Sequence, residues 1–260
     1  MSIGLPTYNR AALLPRAVES ALAQDYTNLE LIISDNASTD GTPAVCVAYA
    51  GRDRRVRYIR QPVNNGAMAN FNAVLAAARG SYFMWLADDD WLDRAYIAKC
   101  LPVLLDNPDY VLACGKARYF RGESFVCNGA WITLPQNAPR ARVLAYYRQV
   151  VDNGMFYGLL RRESLAHVRF RHIFGGDIYY IAGVVLLGKA RTLDDVSINR
   201  SLAGGSEDIR QLARSYGLHP ILAHYAYWVE AWNAFTDLAW RSPVYRRLGR
   251  LGRAVLGIQV

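Results

Sequence analysis

A chain of 260 residues, 52% of them apolar, can bury a real core as one large domain or as two closely packed halves. Disorder and a small stapled scaffold are thereby excluded, and Cys46, Cys100, Cys114 and Cys127, which form no CxxC pair and have no zinc-finger spacing, read as buried thiols suited to a reducing cytoplasm. The formal charge of +8 asks for an anionic partner, whether nucleotide, nucleic acid or membrane face, and part of it is local: Arg241, Arg246, Arg247, Arg250 and Arg253 crowd the last twenty residues with no acid among them.

In chain order, short β-like runs alternate with helical patterns, as in βαβ units built around a largely parallel sheet. Strands are expected at 3–5, 29–34, 56–60 and 81–86, with amphipathic helices at 11–24, 42–49 and 67–78 between them. Asn9 suits the N-cap of the first helix, and Pro15 fits if it falls in the opening turn. Beyond Asp90 come a helix at 94–105, a strand at 110–119 and a loop-like stretch at 122–139. A helix from 142, a β-like segment at 156–160, a helix at 177–187, a strand near 191–198 and a mainly helical end complete the chain. The division this predicts is a nucleotide-binding half over 1–115, a second half of the same domain over 116–205, and C-terminal helices over 206–260. No charged leader precedes the first strand, and the longest apolar stretch, 178–187, is too short to span a bilayer. The expected location is the cytoplasm, with peripheral contact on the inner face of the membrane as the alternative to a free protein.

In an open α/β sheet ligands bind where strands end, so the residues just after each strand carry the chemistry. The first strand leads into Pro6, Thr7, Tyr8 and Asn9, the second into Asp35, Asn36, Ala37, Ser38, Thr39, Asp40 and Gly41, and the fourth into Asp88, Asp89 and Asp90. An isolated acidic triplet is commonly a solvated turn capping the next helix. Three such strand ends on one sheet edge point instead to a shared site.

These segments resemble the family 2 glycosyltransferases of the GT-A fold. Pro6-Thr7-Tyr8-Asn9 is similar to the family's PxYN turn, residues 34–41 to its VDDGSTDG loop, and residues 79–90 to its RGEYIxxLDxDD strand with an acidic end. The likeness is ordered and correctly spaced over the first hundred residues and weakens beyond 110. It implies a Rossmann-like, mostly parallel mixed sheet flanked by helices, with a C-terminal helical extension. It also implies an inverting transfer from a UDP- or dTDP-sugar, of hexosyl or deoxyhexosyl type, to a hydroxyl of a glycan or lipid-linked acceptor.

A departing diphosphate concentrates negative charge, which a hard cation such as Mn²⁺ or Mg²⁺ on carboxylates neutralises. Aligned on the family, Asp89 is the expected direct ligand, Asp88 a ribose or water-mediated partner, and Asp90 an outer or acceptor-side group. Asp35 could accept the N3–H of uracil or thymine, with Asn36 standing where the family has a second acid. Pro6, Thr7, Tyr8, Asn9, Gly66, Asn70, Arg161 and Arg200 complete the expected donor contacts, with a closing loop at Gly204, Gly205 and Ser206 beside Arg200. The base of an inverting transfer is a carboxylate near the acceptor hydroxyl. The family's Gly-Glu-Asp-like motif aligns with Phe174-Gly175-Gly176-Asp177, which makes Asp177 the expected base. Asp177 also reads as a plain helix N-cap, because Gly176 replaces the usual Glu, and Asp194 and Asp195 are its rivals.

Along 244–258, Val244, Leu248, Leu251, Val255 and Ile258 share one helical face opposite arginines. This is the pattern either of a basic helix on an anionic membrane or of a final helix packed on the body. A nicotinamide dehydrogenase is disfavoured because no GxGxxG follows the first strand. A nucleic-acid binder is disfavoured because three carboxylate-bearing loops would repel phosphates. A metal-dependent nucleotidyltransferase and a non-catalytic nucleotide-sugar-binding relative stand as alternatives.

Overall fold

The computed structural model describes residues 1–202, 210, 214 and 216–260. Its first part follows the predicted alternation: β1 (Ser2–Thr7), α1 (Leu14–Leu22), β2 (Glu30–Asp35), α2 (Thr42–Arg52), β3 (Val56–Arg60), α3 (Ala67–Ala77) and β4 (Tyr82–Trp85). The strands form because runs such as Leu31-Ile32-Ile33 can bury both faces only inside a parallel sheet covered by helices. Pro15 sits in the first turn of α1, where its missing N–H costs nothing. Asn9 does not cap this helix: it adopts a left-handed φ of 52° and its side chain accepts from the Thr39 amide at 2.8 Å, tying the first loop to the second.

The remaining elements are β5 (Trp91–Leu92), α4 (Tyr96–Asp106), β6 (Tyr110–Arg121), β7 (Ser124–Asn128), α5 (Pro139–Gln149), a 3-10 turn (Gly154–Tyr157), β8 (Leu159–Arg161), α6 (Arg162–Leu165), α7 (Gly176–Leu187) and β9 (Lys189–Ser201). After them come α8 (Pro220–His224), α9 (Ala226–Thr236), a π turn (Asp237–Arg241), a second 3-10 turn (Pro243–Leu248) and α10 (Gly249–Gln259). The sheet order is β3-β2-β1-β4-β8-β6-β9-β5, with β7 hairpinned on β6. β1 to β4 are mutually parallel, β6 and β9 are parallel to each other, and β8 runs antiparallel to both β4 and β6. The C-terminal ends of β1, β2, β4, β6 and β9 therefore share one edge. The helix α7, leading into the start of β9, opens at that same edge.

One aromatic core fastens the two predicted halves together. Trp85 of β4 stacks on Phe156 at 4.5 Å and meets Phe83 and Tyr180 edge-on at 4.8 and 5.4 Å. The boundary expected at residue 115 falls inside β6, while that at 205 lies outside the described residues.

Three local expectations differ. Residues 124–128 are a strand, since Gly122 with φ +60° makes the tight turn back to β6, and this leaves Cys127 exposed rather than buried. The β-like segment at 156–160 divides into a 3-10 turn and β8. The predicted amphipathic helix at 244–258 breaks at Gly249, φ +69°, and its stripe breaks with it: Val244 is buried, whereas Leu251 and Ile258 are 79% and 78% exposed. Among the described residues no helix is long and apolar enough to cross a membrane.

Candidate active site

Most polar side chains after β1 and β2 are spent on holding loops together. Asn70, buried on α3, accepts from Ser34 Oγ at 2.5 Å and donates to the Ser34 and Thr7 carbonyls at 2.8 and 3.2 Å. It locks β1, β2 and α3 at their shared edge and is not turned toward a ligand. Asn36 binds the 64–66 loop: its amide donates to Asn64 Oδ1 and the Gly66 carbonyl, and its oxygen accepts from the Asn65 amide. Gly66, at φ +84°, lets that loop enter α3 through backbone alone. Asp35 has no solvent-exposed surface; Oδ1 accepts from the Ser38 amide at 2.9 Å, Oδ2 from the Tyr58 hydroxyl at 3.0 Å, and Arg60 Nε lies 3.8 Å away. With no exposed surface, Asp35 meets a base only if a neighbouring side chain moves aside. Pro6 is buried, Asn9 is exposed at the rim, and Tyr8, 42% exposed, offers an open ring face.

The end of β4 is different. Among the described residues Asp88 forms an ion pair only with Arg10, at a long 3.9 Å. Burial raises its pKa against the opposing pull of Thr7, Arg10 and the Tyr8 amide. Asp89 is pushed up to about 7, by burial first and then by Asp90 and Asp88. Thr7 Oγ1 is buried beside them without a hydrogen-bond partner of good geometry. Two under-compensated carboxylates are hard oxygen donors, and they fit Mg²⁺ or Mn²⁺. Among the described residues no three ligating side chains gather tightly enough to enclose an ion unaided.

Asp90 leaves this group. It is buried, with Oδ2 accepting from Arg200 Nε at 2.9 Å and Oδ1 from the Ser201 amide at 2.9 Å, so each oxygen already has a protein partner. Arg200, at the end of β9, lies over the Tyr157 ring at 4.3 Å and donates to Asn153 Oδ1. The Asn153 amide donates in turn to Asp177 Oδ2 at 2.6 Å. Asp90, Arg200, Asn153 and Asp177 thus form one continuous chain from the acidic run to the start of α7.

Asp177 stands in the first turn of α7, where the helix dipole favours its charge, and its Oδ1 accepts from the Ile178 amide. Gly175 is left-handed at φ +77°, and a Cβ there would lie 2.6 Å from Tyr179 Oη. At Gly176 a Cβ would lie 2.6 Å from the Arg171 carbonyl oxygen. No Glu fits there, which gives the departure from the family pattern a steric cause. On the far side of Asp177 stands Glu230 of α9, its pKa raised by burial and then by Asp177. The rivals fall elsewhere: Asp195 pairs with Lys99 at 2.9 Å, and Asp194 lines a cleft of about 350 Å³ with Lys116 and Arg118.

Arg161 is carried away from the site. It ends β8 opposite Tyr82, the first residue of β4, and donates to the Tyr110 carbonyl at 2.7 Å and to the Leu104 and Asn107 carbonyls at the end of α4. It caps a helix at the opposite sheet edge. A cleft of about 770 Å³ that includes Arg54, Arg55, Arg57 and Arg79 also lies at that edge, far from the acidic run. Gly204, Gly205 and Ser206 lie outside the described residues. Sequence reading missed Asn153, Arg10 and Glu230. Arg10 directly follows the first loop and was there to be found, while Asn153 in Asp152-Asn153-Gly154 reads only as a turn.

With this geometry in hand, known proteins give it a context. The description "Glycosyl transferase family 2" matches residues 2–169, well over half the chain. The WcaA protein of Escherichia coli (strain K12) is 32% identical over 163 residues, which cover 60% of this chain and 56% of WcaA. The chain spans about half the length, or less, of the curated relatives it matches. Residues 1–349 of S. aureus TarS, solved with UDP-GlcNAc, superpose with a TM-score of 0.64 at 16% identity, covering 99% of this chain and 80% of that one. The mannosyltransferase PcManGT of Pyrobaculum calidifontis, solved with GDP-Man and Mn²⁺, gives a TM-score of 0.59 at 18% identity, covering 98% and 79%. The fold is that of the GT-A enzymes, a mostly parallel mixed sheet flanked by helices, and the chain belongs to glycosyl transferase family 2.

Proposed function

We propose that this chain transfers a sugar, with inversion, from a nucleoside-diphosphate donor to a hydroxyl of a glycan or lipid-linked acceptor. The observation that carries the reading is the hydrogen-bonded chain from Asp90 through Arg200 and Asn153 to Asp177, which fixes a carboxylate at a set position beside the acidic run. Asp177 accepts the acceptor's hydroxyl proton, and the freed oxygen attacks the anomeric carbon from the face opposite the diphosphate. Asn153 holds the carboxylate in the orientation for that transfer, and Arg200 keeps Asn153 in place. The open face of Tyr8 stacks on the base, and the backbone around Thr7 borders the ribose and diphosphate. Mn²⁺ or Mg²⁺ held by Asp89 and Asp88 would supply charge neutralisation to the departing diphosphate. A preference for UDP or dTDP requires a side chain beside Asp35 to swing aside so that the carboxylate meets a base N3–H.

The test is a pair of measurements on one variant. Asp177→Asn should lose transfer while its nucleotide affinity stays near wild type; full turnover by that variant would overturn the assignment. A thermal-shift comparison of UDP, dTDP, CDP and GDP, each with and without Mn²⁺, tests the donor class. No stabilisation by any of them would count against the donor site itself and would favour neither a transferase nor a non-catalytic nucleotide-sugar binder.

A further inference from the structure

Beyond the site, the C-terminal helices present an apolar face that nothing in the transfer reading uses. Ile221 stands on α8, Tyr225 at the turn that separates α8 from α9, and Trp228 and Trp232, four residues apart, share one face of α9. All four are exposed, Trp228 by 76% and Trp232 by 59%. The opposite side of the same helices is packed inward through Ala223, Ala226 and Ala234. The strip continues past the helix end, since Trp232 contacts Phe235 at 5.6 Å and Phe235 meets the exposed Trp240 edge-on at 5.4 Å. On the neighbouring α10, which packs against α9, Leu251 and Ile258 are bare. No acid follows Asp237 in the chain. Arg246, Arg247 and Arg250 are exposed there and, among the described residues, make no ion pair or side-chain hydrogen bond.

We propose that this face seats the protein on an anionic phospholipid surface, with Trp228, Trp232 and Trp240 at the headgroup boundary and the three arginines on lipid phosphates. Tryptophan and tyrosine, apolar in body and polar at one tip, are the side chains that favour that boundary, and unpaired arginines supply the complementary charge. A second copy of the chain fits less well: a two-fold contact pairs this patch with its own copy, which after Asp237 offers no acidic side chain to the arginines. The membrane face differs from the stripe read in the sequence, which is split between core and solvent. The inner side of α9 carries Glu230, beside Asp177, and Tyr179 Oη donates to the Glu230 carbonyl. Seating the outer side on a bilayer holds Asp177 about one helix diameter, roughly 10 Å, from the headgroups, within reach of a lipid-linked acceptor. That consequence for the acceptor rests on the transfer reading; the docking itself does not.

The test uses the full chain without nucleotide sugar, so it stands or falls apart from transfer. Wild type should cosediment with phosphatidylglycerol/phosphatidylethanolamine vesicles and only weakly with phosphatidylcholine, with blue-shifted tryptophan emission and binding that weakens as salt rises. Trp228→Ser with Trp232→Ser should reduce vesicle affinity about tenfold or more with an unchanged melting temperature. Arg246→Gln, Arg247→Gln and Arg250→Gln together should remove the preference for anionic lipid. Failure of wild type to bind phosphatidylglycerol vesicles, or binding that neither variant weakens, would overturn the proposal. So would a stable oligomer in lipid-free buffer that the tryptophan variant dissociates, because the face would then belong to a second copy.

Discussion

The loops after β1 and β2 and the acidic run after β4 are alike in sequence as polar stretches that follow a strand, yet they behave in opposite ways. Asn36, Asn70 and Asp35 have their hydrogen-bonding capacity turned inward, and they buttress the edge. Asp88 and Asp89 are half-buried with too little positive charge nearby, and they remain open to a cation. The division even separates adjacent residues, since Asp90 is a buried, fully paired strut and Asp89 is not. Polarity at a strand end thus marks the neighbourhood of a site, while partnering decides which groups can do chemistry there.

The sharpest probe of that contrast is Asp177, the half-buried carboxylate at the end of the hydrogen-bonded series. Asp177→Asn should lower kcat by about 10²–10⁴-fold with nucleotide affinity unchanged, measured by turnover and by isothermal titration. Next come the neighbours. Asp90→Ala leaves Arg200 buried without its partner and should cost about 3–5 kcal/mol in urea unfolding.

Asp89→Asn should do the reverse. With its pKa raised from 3.8 to about 7, Asp89 binds a proton more tightly in the folded chain than in the unfolded one. Its contribution to stability is therefore full below about pH 4, falls as pH rises toward 7, and is lowest above that. In metal-free protein at pH 8 the Asn variant should melt higher by several degrees, roughly 2 kcal/mol of stability, and the gain should vanish near pH 4. The same variant should weaken the stabilisation that Mn²⁺ with nucleotide gives the wild type. If Asp89→Asn and Asp90→Ala shift stability in the same direction at pH 8, the distinction between strut and ligand fails.

Smaller effects sharpen the comparison further. Asn70→Ala strips partners from Ser34 and Thr7 and should cost about 1–3 kcal/mol while leaving nucleotide affinity per folded molecule intact. Asn153→Ala should lower kcat about tenfold with little change in KM and should move the acidic limb of the pH–rate profile, which a purely structural role would not. An Asn153→Ala variant with a lower melting temperature but an unmoved profile would make Asn153 a strut like Asn70.

Much of this architecture is legible in one dimension. The βαβ alternation, the aligned strand ends and the segments shared with the family locate the edge where chemistry gathers, because helix and strand periodicities are local properties of the chain. The strand β7 and the break at Gly249 were not legible in that way. The first depends on a partner strand to receive it, and the second on which face of a helix the body leaves uncovered.

What the sequence determined by itself is the set of residues capable of chemistry: the acidic run, the loops after β1 and β2, and a carboxylate opening a helix after two glycines. What tertiary structure decided is which of them meet, and the two arginines make the reason plain. Arg161 and Arg200 each stand at or next to the end of a strand, and nothing local fixes which way that strand runs in the sheet. Because β8 lies antiparallel to β4, Arg161 emerges at the far edge under α4; because β9 lies parallel to β6, Arg200 emerges beside Asp90. Strand direction within a sheet is fixed by pairing with distant segments, so only the fold could separate a helix cap from a member of the site.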